Sequence, residues 1–184
     1  MKKTVVLWTM ICILCIGAPA MAEDEPMLEK GAKELGLSGN IDLEGTQGGV
    51  DVVLDASYGY FIARDLEIGP IISFSRTNDG DILSYGVGAF VDYHIVGASM
   101  VGFARTVPYV GASLELTALD TDLGEDQNAL ALTPKVGIKW FLRSYLAIDT
   151  HFYFSLATDD IYVNDNELDS YDYGFNLGLR VYFQ

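Results

Sequence analysis

Apolar and polar residues alternate along most of the chain after residue 34. In the stretch 49–62, every second residue from Val50 to Ile62 is aliphatic or aromatic, and the residues between them are mainly glycine, serine and aspartate. The stretch 170–183 follows the same scheme, from Tyr171 to Phe183. A period of two is typical of β-strands that have two unlike faces. The chain is therefore predicted to be all-β.

Eight such segments follow one another, each 11 to 14 residues long. Strands of globular proteins average about 5–6 residues, whereas a tilted strand that crosses a bilayer needs about 9–11. Because hydrocarbon tolerates no open sheet edge, such strands have to close on themselves. The pattern predicts an eight-stranded antiparallel up-and-down transmembrane β-barrel. Its strands are predicted at 35–45, 49–62, 66–77, 82–95, 107–118, 129–142, 144–157 and 170–183.

The connections between these strands define the two ends of the predicted barrel. Those at the periplasmic end are predicted at 63–65, 96–106 and 143–144, and those at the outer end at 45–48, 78–81, 120–128 and 158–169. Two of the periplasmic turns are tight, as is usual in outer-membrane barrels.

The composition of the two strand faces indicates which one points outward. The polar face is rich in glycine and serine, which suits a crowded interior. Aromatic residues lie near the ends of the apolar face, as they do at membrane interfaces. These are Tyr58, Tyr60, Tyr93, Trp140, Tyr171, Tyr173 and Phe183. The apolar face is therefore predicted to contact lipid; the alternative is a soluble, lipocalin-like barrel with the apolar face inside.

The first residues have the parts of a secretory signal peptide. Lys2 and Lys3 precede an apolar run at 4–17, and Ala20 and Ala22 form an A-x-A cleavage site. The run is shorter than the roughly 20 residues of a spanning helix, so an uncleaved anchor is the weaker alternative. We predict a cleaved signal peptide at 1–22, a loosely ordered periplasmic lead-in at 23–33 and the barrel at 34–184. Both cysteines lie in the leader.

The chain is acidic, with 26 aspartates and glutamates against 11 lysines and arginines and a net charge of -15. That balance argues against binding nucleic acid, whose phosphates need a basic surface. Much of the acidity falls in the predicted outer loops, which could bind divalent cations or form a solvated acidic rim. The loop carboxylates are Asp79, Asp81, Asp120, Asp122, Glu125, Asp126, Asp159, Asp160, Asp165, Glu167 and Asp169.

A second set of charged residues lies on the polar face and is predicted to point into the lumen. An eight-stranded barrel is only wide enough for its own side chains to fill, and buried charges have to be paired. We expect Lys135, Lys139 and Arg180 to bridge carboxylates across the lumen and to fill it. The predicted lumen network is Asp42, Glu44, Asp51, Asp55, Glu67, Asp92, Glu115, Lys135, Lys139, Asp149, His151 and Arg180.

The end of the chain resembles the C-terminal signal of outer-membrane barrels. Asn176 is followed by Gly178 and then by alternating hydrophobic residues, with Val181 and the aromatic Phe183; the departure is that Gln184 follows the aromatic. The stretch 60–69 is similar to the second and third strands of OmpA/OmpX-like barrels. This resemblance implies a Gram-negative-type outer membrane, contact with its lipids, and insertion by the barrel-assembly machinery through the last strand.

Catalytic candidates are few. The polar face carries His94 and His151, and Ser113 and Ser155 share that face, but a nucleophile needs its base within about 3 Å. We expect no enzyme, no cofactor and no metal site. The predicted role is structural or surface-interacting, in envelope integrity, adhesion or defence. The alternatives are a narrow, low-conductance cation pore and, after that, a lipid-modifying outer-membrane enzyme.

Overall fold

Eight long strands form one closed sheet in a computed structural model of the chain. The structure describes residues 25–45, 49–77, 82–95, 105–120, 127–164 and 167–184. The predicted signal peptide, with Ala20 and Ala22, lies outside them. The barrel strands are β1 (Lys33–Gly45), β2 (Gly49–Ala63), β3 (Leu66–Thr77), β4 (Ile82–His94), β5 (Thr106–Asp120), β6 (Gln127–Arg143), β7 (Leu146–Ala157) and β10 (Tyr171–Phe183); a small hairpin contains β8 (Tyr162–Asn164) and β9 (Glu167–Asp169).

Every strand of the barrel pairs antiparallel with its two neighbours, and β1 pairs with β10 to close the sheet. Leu35 of β1, for example, lies opposite Val181 of β10 and Tyr58 of β2. The predicted fold class, an eight-stranded antiparallel barrel, is confirmed. In the part of the chain that the structure describes, no helix is long and apolar enough to cross a membrane.

The apolar face of each strand points outward, as predicted for a barrel that contacts lipid. Leu116, Phe152 and Tyr173 are 63%, 64% and 71% exposed, whereas the side chains of Glu67 and Lys139 are fully buried inside. All seven aromatic residues that were predicted near the ends of the apolar face are exposed. A soluble barrel would show the opposite arrangement, so the lipocalin-like alternative is wrong.

The two ends of the barrel differ. At one end, which we call the strap end, β2 and β3 are joined through Arg64 and Asp65, and β6 and β7 through Ser144 and Tyr145. Asp65 adopts a positive φ of 72° in its turn. The predicted second turn at 143–144 is one residue too early, because Arg143 still belongs to β6. The connection 95–105 between β4 and β5 is also at the strap end. The opposite end, the loop end, carries the connections 46–48, 78–81 and 121–126 and the β8–β9 hairpin.

Two connecting segments are more ordered than predicted. The stretch 158–169 contains the β8–β9 hairpin, which places the Tyr162 hydroxyl 2.5 Å from Ser155 Oγ on the barrel wall. Period-two alternation over three residues is too short to detect in a sequence. At the other end, β1 begins at Lys33, before the predicted residue 35, and this brings Glu34 into the sheet.

Residues 26–32, which we call the N-terminal strap, lie across the strap end of the barrel. Leu28 and Ala32 are 3% and 1% exposed and belong to an apolar cluster with residues of five strands. Backbone hydrogen bonds join the strap to both turns: Met27 N–H donates to Ser144 O, and Asp65 N–H donates to Leu28 O. The prediction of a loosely ordered lead-in is therefore wrong for these residues, because packing on the barrel orders them.

Replacing the strap's buried leucine should weaken the barrel. Leu28→Ala should lower the free energy of unfolding by about 2 kcal/mol or more, since it leaves a cavity in a packed cluster. Urea unfolding of the refolded protein, followed by intrinsic fluorescence, measures this. Glu29→Ala is the matched control, because Glu29 is exposed beside it. Equal stability of the two variants would show that the strap does not hold the barrel closed.

Candidate functional site

Five charged side chains meet in the strap half of the lumen, and we call them the inner charge cluster: Glu34, Glu67, Lys139, Asp149 and Arg180. Each is 5% exposed or less. Lys139 Nζ of β6 lies 2.5 Å from Glu34 Oε2 of β1 and 3.3 Å from Glu67 Oε2 of β3. Both partner strands are three places away from β6 around the barrel. These ion pairs therefore cross the lumen and join opposite walls.

Arg180 extends the inner charge cluster along the wall. Its Nε and Nη2 donate to Asp149 Oδ2 at 3.1 Å and 2.5 Å, and its Nη1 donates to Ser57 Oγ at 2.9 Å. Nη1 also lies 3.5 Å from Glu34 Oε1. The Tyr109 hydroxyl donates to Asp149 Oδ1 at 2.9 Å. Every carboxylate of the cluster thus has at least one cation beside it, as buried charges require.

Aromatic rings fill the space around these ions. Lys139 Nζ lies 5.2 Å and 5.6 Å from the ring centroids of Tyr109 and Tyr182. Lys135 pairs with Asp92 at 3.0 Å and lies 5.1 Å from the Phe90 centroid. Such cation–π contacts are stronger where water is excluded. Ions and aromatic rings are thus packed together in this half of the lumen.

Glycines on the polar face make room for the cluster. A Cβ on Gly36 would collide with the Arg180 guanidinium and with Ser57 Oγ, and a Cβ on Gly59 would collide with the Glu67 carboxylate. Any larger residue at either position would push a charged group out of place. The glycines of the polar face therefore set where long charged side chains can lie.

The loop half of the lumen holds three further carboxylates, which we call the outer carboxylates: Asp55, Glu115 and Asp172. Their hydrogen-bond partners are neutral: Asn176 Nδ2 for Asp55 at 3.4 Å, Ser113 Oγ for Glu115 at 2.7 Å and the Tyr153 hydroxyl for Asp172 at 2.9 Å. Among the described residues, no lysine or arginine makes an ion pair with them.

A layer of hydroxyl groups lies beside the outer carboxylates. Ser155 Oγ is 2.7 Å from Thr133 Oγ1 and 2.5 Å from the hydroxyl of Tyr162, which comes from the β8–β9 hairpin. Burial raises the pKa of Tyr162 above its usual value, so its hydroxyl stays protonated. The hairpin is thus attached to the rim of the lumen by a side-chain hydrogen bond.

The structure brings most of the predicted lumen residues together. Glu67, Asp92, Asp149, Lys135, Lys139 and Arg180 lie in ion pairs in the strap half, and His151 Nδ1 lies 3.2 Å from Asp149 Oδ2. Asp55 and Glu115 lie apart from these pairs, in the loop half. The side chains of Asp42, Glu44 and Asp51 fall outside the described residues, although Asp42 and Asp51 pair through their backbones.

Several lumen residues were not predicted. Glu34 precedes the predicted start of the first strand; extending the alternation backwards from Leu35 would have placed it inside. Asp172 was on the polar face but was not included in the network. Tyr109 and Tyr182 are aromatic residues at positions of the polar face, and this departure from the pattern could have predicted that they lie in the lumen.

The residues of the predicted assembly signal divide between the two faces of β10. Asn176 points inward, whereas Val181 and Phe183 are 37% and 39% exposed on the outside. Gly178 lies opposite Ser38 of β1, where the barrel closes. Most of the predicted acidic loop residues lie outside the described side chains; Asp159 and Asp160 are described and exposed, and Asp169 is described and half-buried.

Glu34, Glu67 and His94 offer ligand atoms that lie within 4.8 Å of one another, which is close enough to hold a metal ion. Lys139 already places its ammonium group against both carboxylates. A divalent ion there would face that positive charge directly. The arrangement therefore favours a lysine-filled ion cluster over a metal centre.

Ser113 and Ser155, the two serines considered as nucleophiles, are bonded to residues other than histidine. Within the described residues, Ser113 bonds to Glu115, and Ser155 bonds to Thr133 and Tyr162. The ring of His94 lies between Phe61 and Tyr109, with centroid distances of 5.3 Å and 5.8 Å. No nucleophile–base pair of the kind that hydrolases use is formed by these residues.

Comparison with solved structures shows the same fold. The N-terminal β-barrel domain of Pseudomonas aeruginosa OprF superposes with a TM-score of 0.60 at 15% identity, covering 84% of this chain and 98% of that one. OprG from Pseudomonas aeruginosa gives 0.56 at 13% identity, with coverage of 87% and 99%. Neisserial surface protein A gives 0.52 at 21% identity, with coverage of 83% and 94%. Neither the known family models nor the curated protein sequences give a match.

The chain therefore has the fold of the small outer-membrane β-barrels. The predicted resemblance to that group is confirmed at the level of architecture. Identities of 13–21% do not carry a biochemical role across, because small barrels host many functions.

Removing Arg180, which donates two hydrogen bonds to Asp149 Oδ2, should destabilise the barrel. Arg180→Ala leaves Asp149 without its guanidinium and should lower the free energy of unfolding by about 3 kcal/mol or more, because one partner of a buried ion pair is stranded. Urea unfolding in lipid vesicles measures this.

Arg64→Ala is the matched control, because the Arg64 side chain is 70% exposed and its nearest carboxylate contact is 3.8 Å long. It should change the unfolding free energy by less than about 1 kcal/mol. A comparable loss in both variants would mean that the cluster adds nothing beyond general charge effects.

Proposed function

We propose that this chain is an outer-membrane barrel of a Gram-negative-type envelope, with a structural or surface-interaction role and a lumen closed by its own side chains. The observation that carries the proposal is the inner charge cluster. Its ion pairs cross the lumen and leave the side chains of Glu34, Glu67 and Lys139 at most 1% exposed. A barrel filled in this way is a rigid scaffold for its surface loops and is not a water channel.

The outer surface supports a membrane location. Large apolar side chains cover it from end to end, including Leu37, Ile72, Val87, Leu114 and Leu177 at 49–58% exposure. In water such a surface would be a large aggregation-prone patch, whereas in a bilayer it is matched by lipid. Outer-membrane lipids are therefore the first partner that we propose.

Assembly and surface contacts complete the proposal. The outward-facing Val181 and Phe183 of β10 are available to the barrel-assembly machinery before β10 pairs with β1. The export signal at 1–22 would deliver the chain to the periplasm. The acidic loops are proposed to meet divalent cations at the cell surface; Asp159 and Asp160, which are exposed, belong to this rim.

A narrow cation path is the second candidate function. The outer carboxylates give the loop half of the lumen an acidic lining, which favours entry of cations. The strap and the inner charge cluster oppose passage to the other end, so a conducting state would require both to move. Lipid modification is not favoured by the hydrogen bonds of Ser113 and Ser155.

The location and closure of the barrel can be tested together. The wild-type protein should appear in the outer-membrane fraction and migrate differently on a denaturing gel before and after boiling, because a closed barrel resists detergent until it is heated. Leu114→Arg, near the middle of β5, should reduce the folded fraction, since arginine at the bilayer midplane costs about 2–4 kcal/mol.

Leu130→Arg is the control, because Leu130 faces outward near the loop end of β6 and arginine costs only about 0–1 kcal/mol near the interface. Recovery of the protein from the soluble periplasm, without a heat-dependent shift, would contradict the proposal. An equal effect of the two arginines would argue against a membrane around the barrel.

A further inference from the structure

The two ends of the barrel carry net charges of opposite sign. The strap end contains five lysines and arginines and three carboxylates, counted over the segments 25–33, 63–66, 95–106 and 142–146. The loop end contains one arginine, Arg76, and twelve carboxylates, counted over the segments 43–49, 76–83, 117–128 and 157–170. Positive charge beside an apolar surface attracts anionic lipid headgroups. The strap end is therefore the end of this barrel that suits anionic lipids.

Two lysines of the strap end are held in place by the backbone. Lys30 and Gly31 form the centre of a tight turn, and Gly31 accommodates its positive φ of 95° because it has no side chain. Gly31 N–H donates to Phe61 O, and Phe61 N–H donates to Ala32 O, so the turn is fixed to the end of β2. Lys33 follows as the first residue of β1. Both lysines are thus positioned at the edge of the barrel wall.

Lys33 marks the boundary of the apolar outer surface. It lies opposite Phe183 of β10 and Tyr60 of β2, whose rings are exposed on the outside, and its Nζ is 5.9 Å from the Phe183 ring centroid. Leu35 and Leu37 follow on the same face of β1 and are 55% and 58% exposed. Aromatic belts and the amino groups of long lysine side chains lie at the level of lipid headgroups. Lys33 therefore lies where a lipid phosphate would be.

The protein does not neutralise these two lysines. Within the described residues, neither Lys30 nor Lys33 forms an ion pair, whereas the nearby Arg64 faces Asp65 at 3.8 Å. Lys30 is exposed and Lys33 is half-buried. The connection 95–105 joins β4 and β5, which lie across the barrel from β1. Both ammonium groups are therefore available to an anion from the surrounding membrane.

We propose that Lys30 and Lys33, with the outward rings of Tyr60 and Phe183, bind one anionic glycerophospholipid of the leaflet at the strap end. The two ammonium groups pair with the headgroup phosphate, the rings contact the glycerol region, and the acyl chains lie along the apolar face of β1. A zwitterionic lipid binds more weakly, because its own cation competes for the phosphate. This inference rests on the proposed membrane location and adds to it a class of lipid and a site.

The test uses the full barrel refolded in micelles of an uncharged detergent, with phosphatidylglycerol as the probe and native mass spectrometry as the readout. One phosphatidylglycerol should bind about tenfold more tightly than phosphatidylcholine with the same acyl chains. Lys30→Gln and Lys33→Gln should each weaken the binding of phosphatidylglycerol about fivefold, because each removes one cation from an anionic headgroup. Lys33→Arg keeps the positive charge and should keep the preference for the anionic lipid.

Arg76→Gln is the matched control, because Arg76 is also exposed on the outer face but lies at the acidic loop end; it should leave the affinity unchanged. Equal affinity for the two lipids would overturn the proposal. So would an equal loss in Arg76→Gln, which indicates a general charge effect, or displacement of the lipid by excess glycerol 3-phosphate, which indicates a site for free phosphate.

A heat-shift gel of each variant in phosphatidylcholine vesicles separates the two levels of the account. Failure of the wild-type barrel to fold into these vesicles would contradict the proposed membrane location. A barrel that folds there but does not prefer phosphatidylglycerol would contradict the lipid site alone.

Discussion

The ammonium group of Lys139 reaches across a narrow barrel to Glu34 and Glu67, two carboxylates on the opposite wall, and all three side chains are at most 1% exposed. A single unpaired charge in such a place would cost several kcal/mol, so the two carboxylates depend on the ammonium group and the ammonium group depends on them. Eight strands can close around these ions only if glycines such as Gly59 leave room. The same side chains therefore fill the lumen and neutralise the charges that are buried in it.

The two halves of the lumen differ in how their charged side chains are paired. In the strap half, three cations and four carboxylates lie among several aromatic rings, and the N-terminal strap packs across that end with Leu28 and Ala32. In the described part of the loop half, the three outer carboxylates bond to neutral partners and lie beside hydroxyl groups. Among the described residues, paired charges therefore lie toward the strap end, and carboxylates with neutral partners lie toward the loop end. The fold that the barrel shares with OprF and OprG leaves such differences open, because they depend on side chains alone.

Period-two alternation was sufficient to predict the strands and their faces, because a one-residue error would have turned every apolar side chain inward. It placed Lys139, Asp149 and Arg180 inside. The alternation could not predict which of these charges form ion pairs. Lys139 contacts residues on strands three places away, and these strands come close only when the barrel closes. The strap and the β8–β9 hairpin were missed for the same reason: tertiary packing orders them. Glu34 was missed because the first strand was predicted to begin at residue 35, whereas β1 begins at Lys33.

The most direct test of the cross-lumen ion pair is a double-mutant cycle between Lys139→Met and Glu34→Gln, with unfolding free energies measured by urea titration in lipid vesicles. The ion pair predicts that the double variant is more stable than the sum of the two single losses implies, with a coupling energy of about 1–3 kcal/mol. Additive losses, within about 0.5 kcal/mol, would mean that Lys139 and Glu34 do not stabilise one another and would contradict the account.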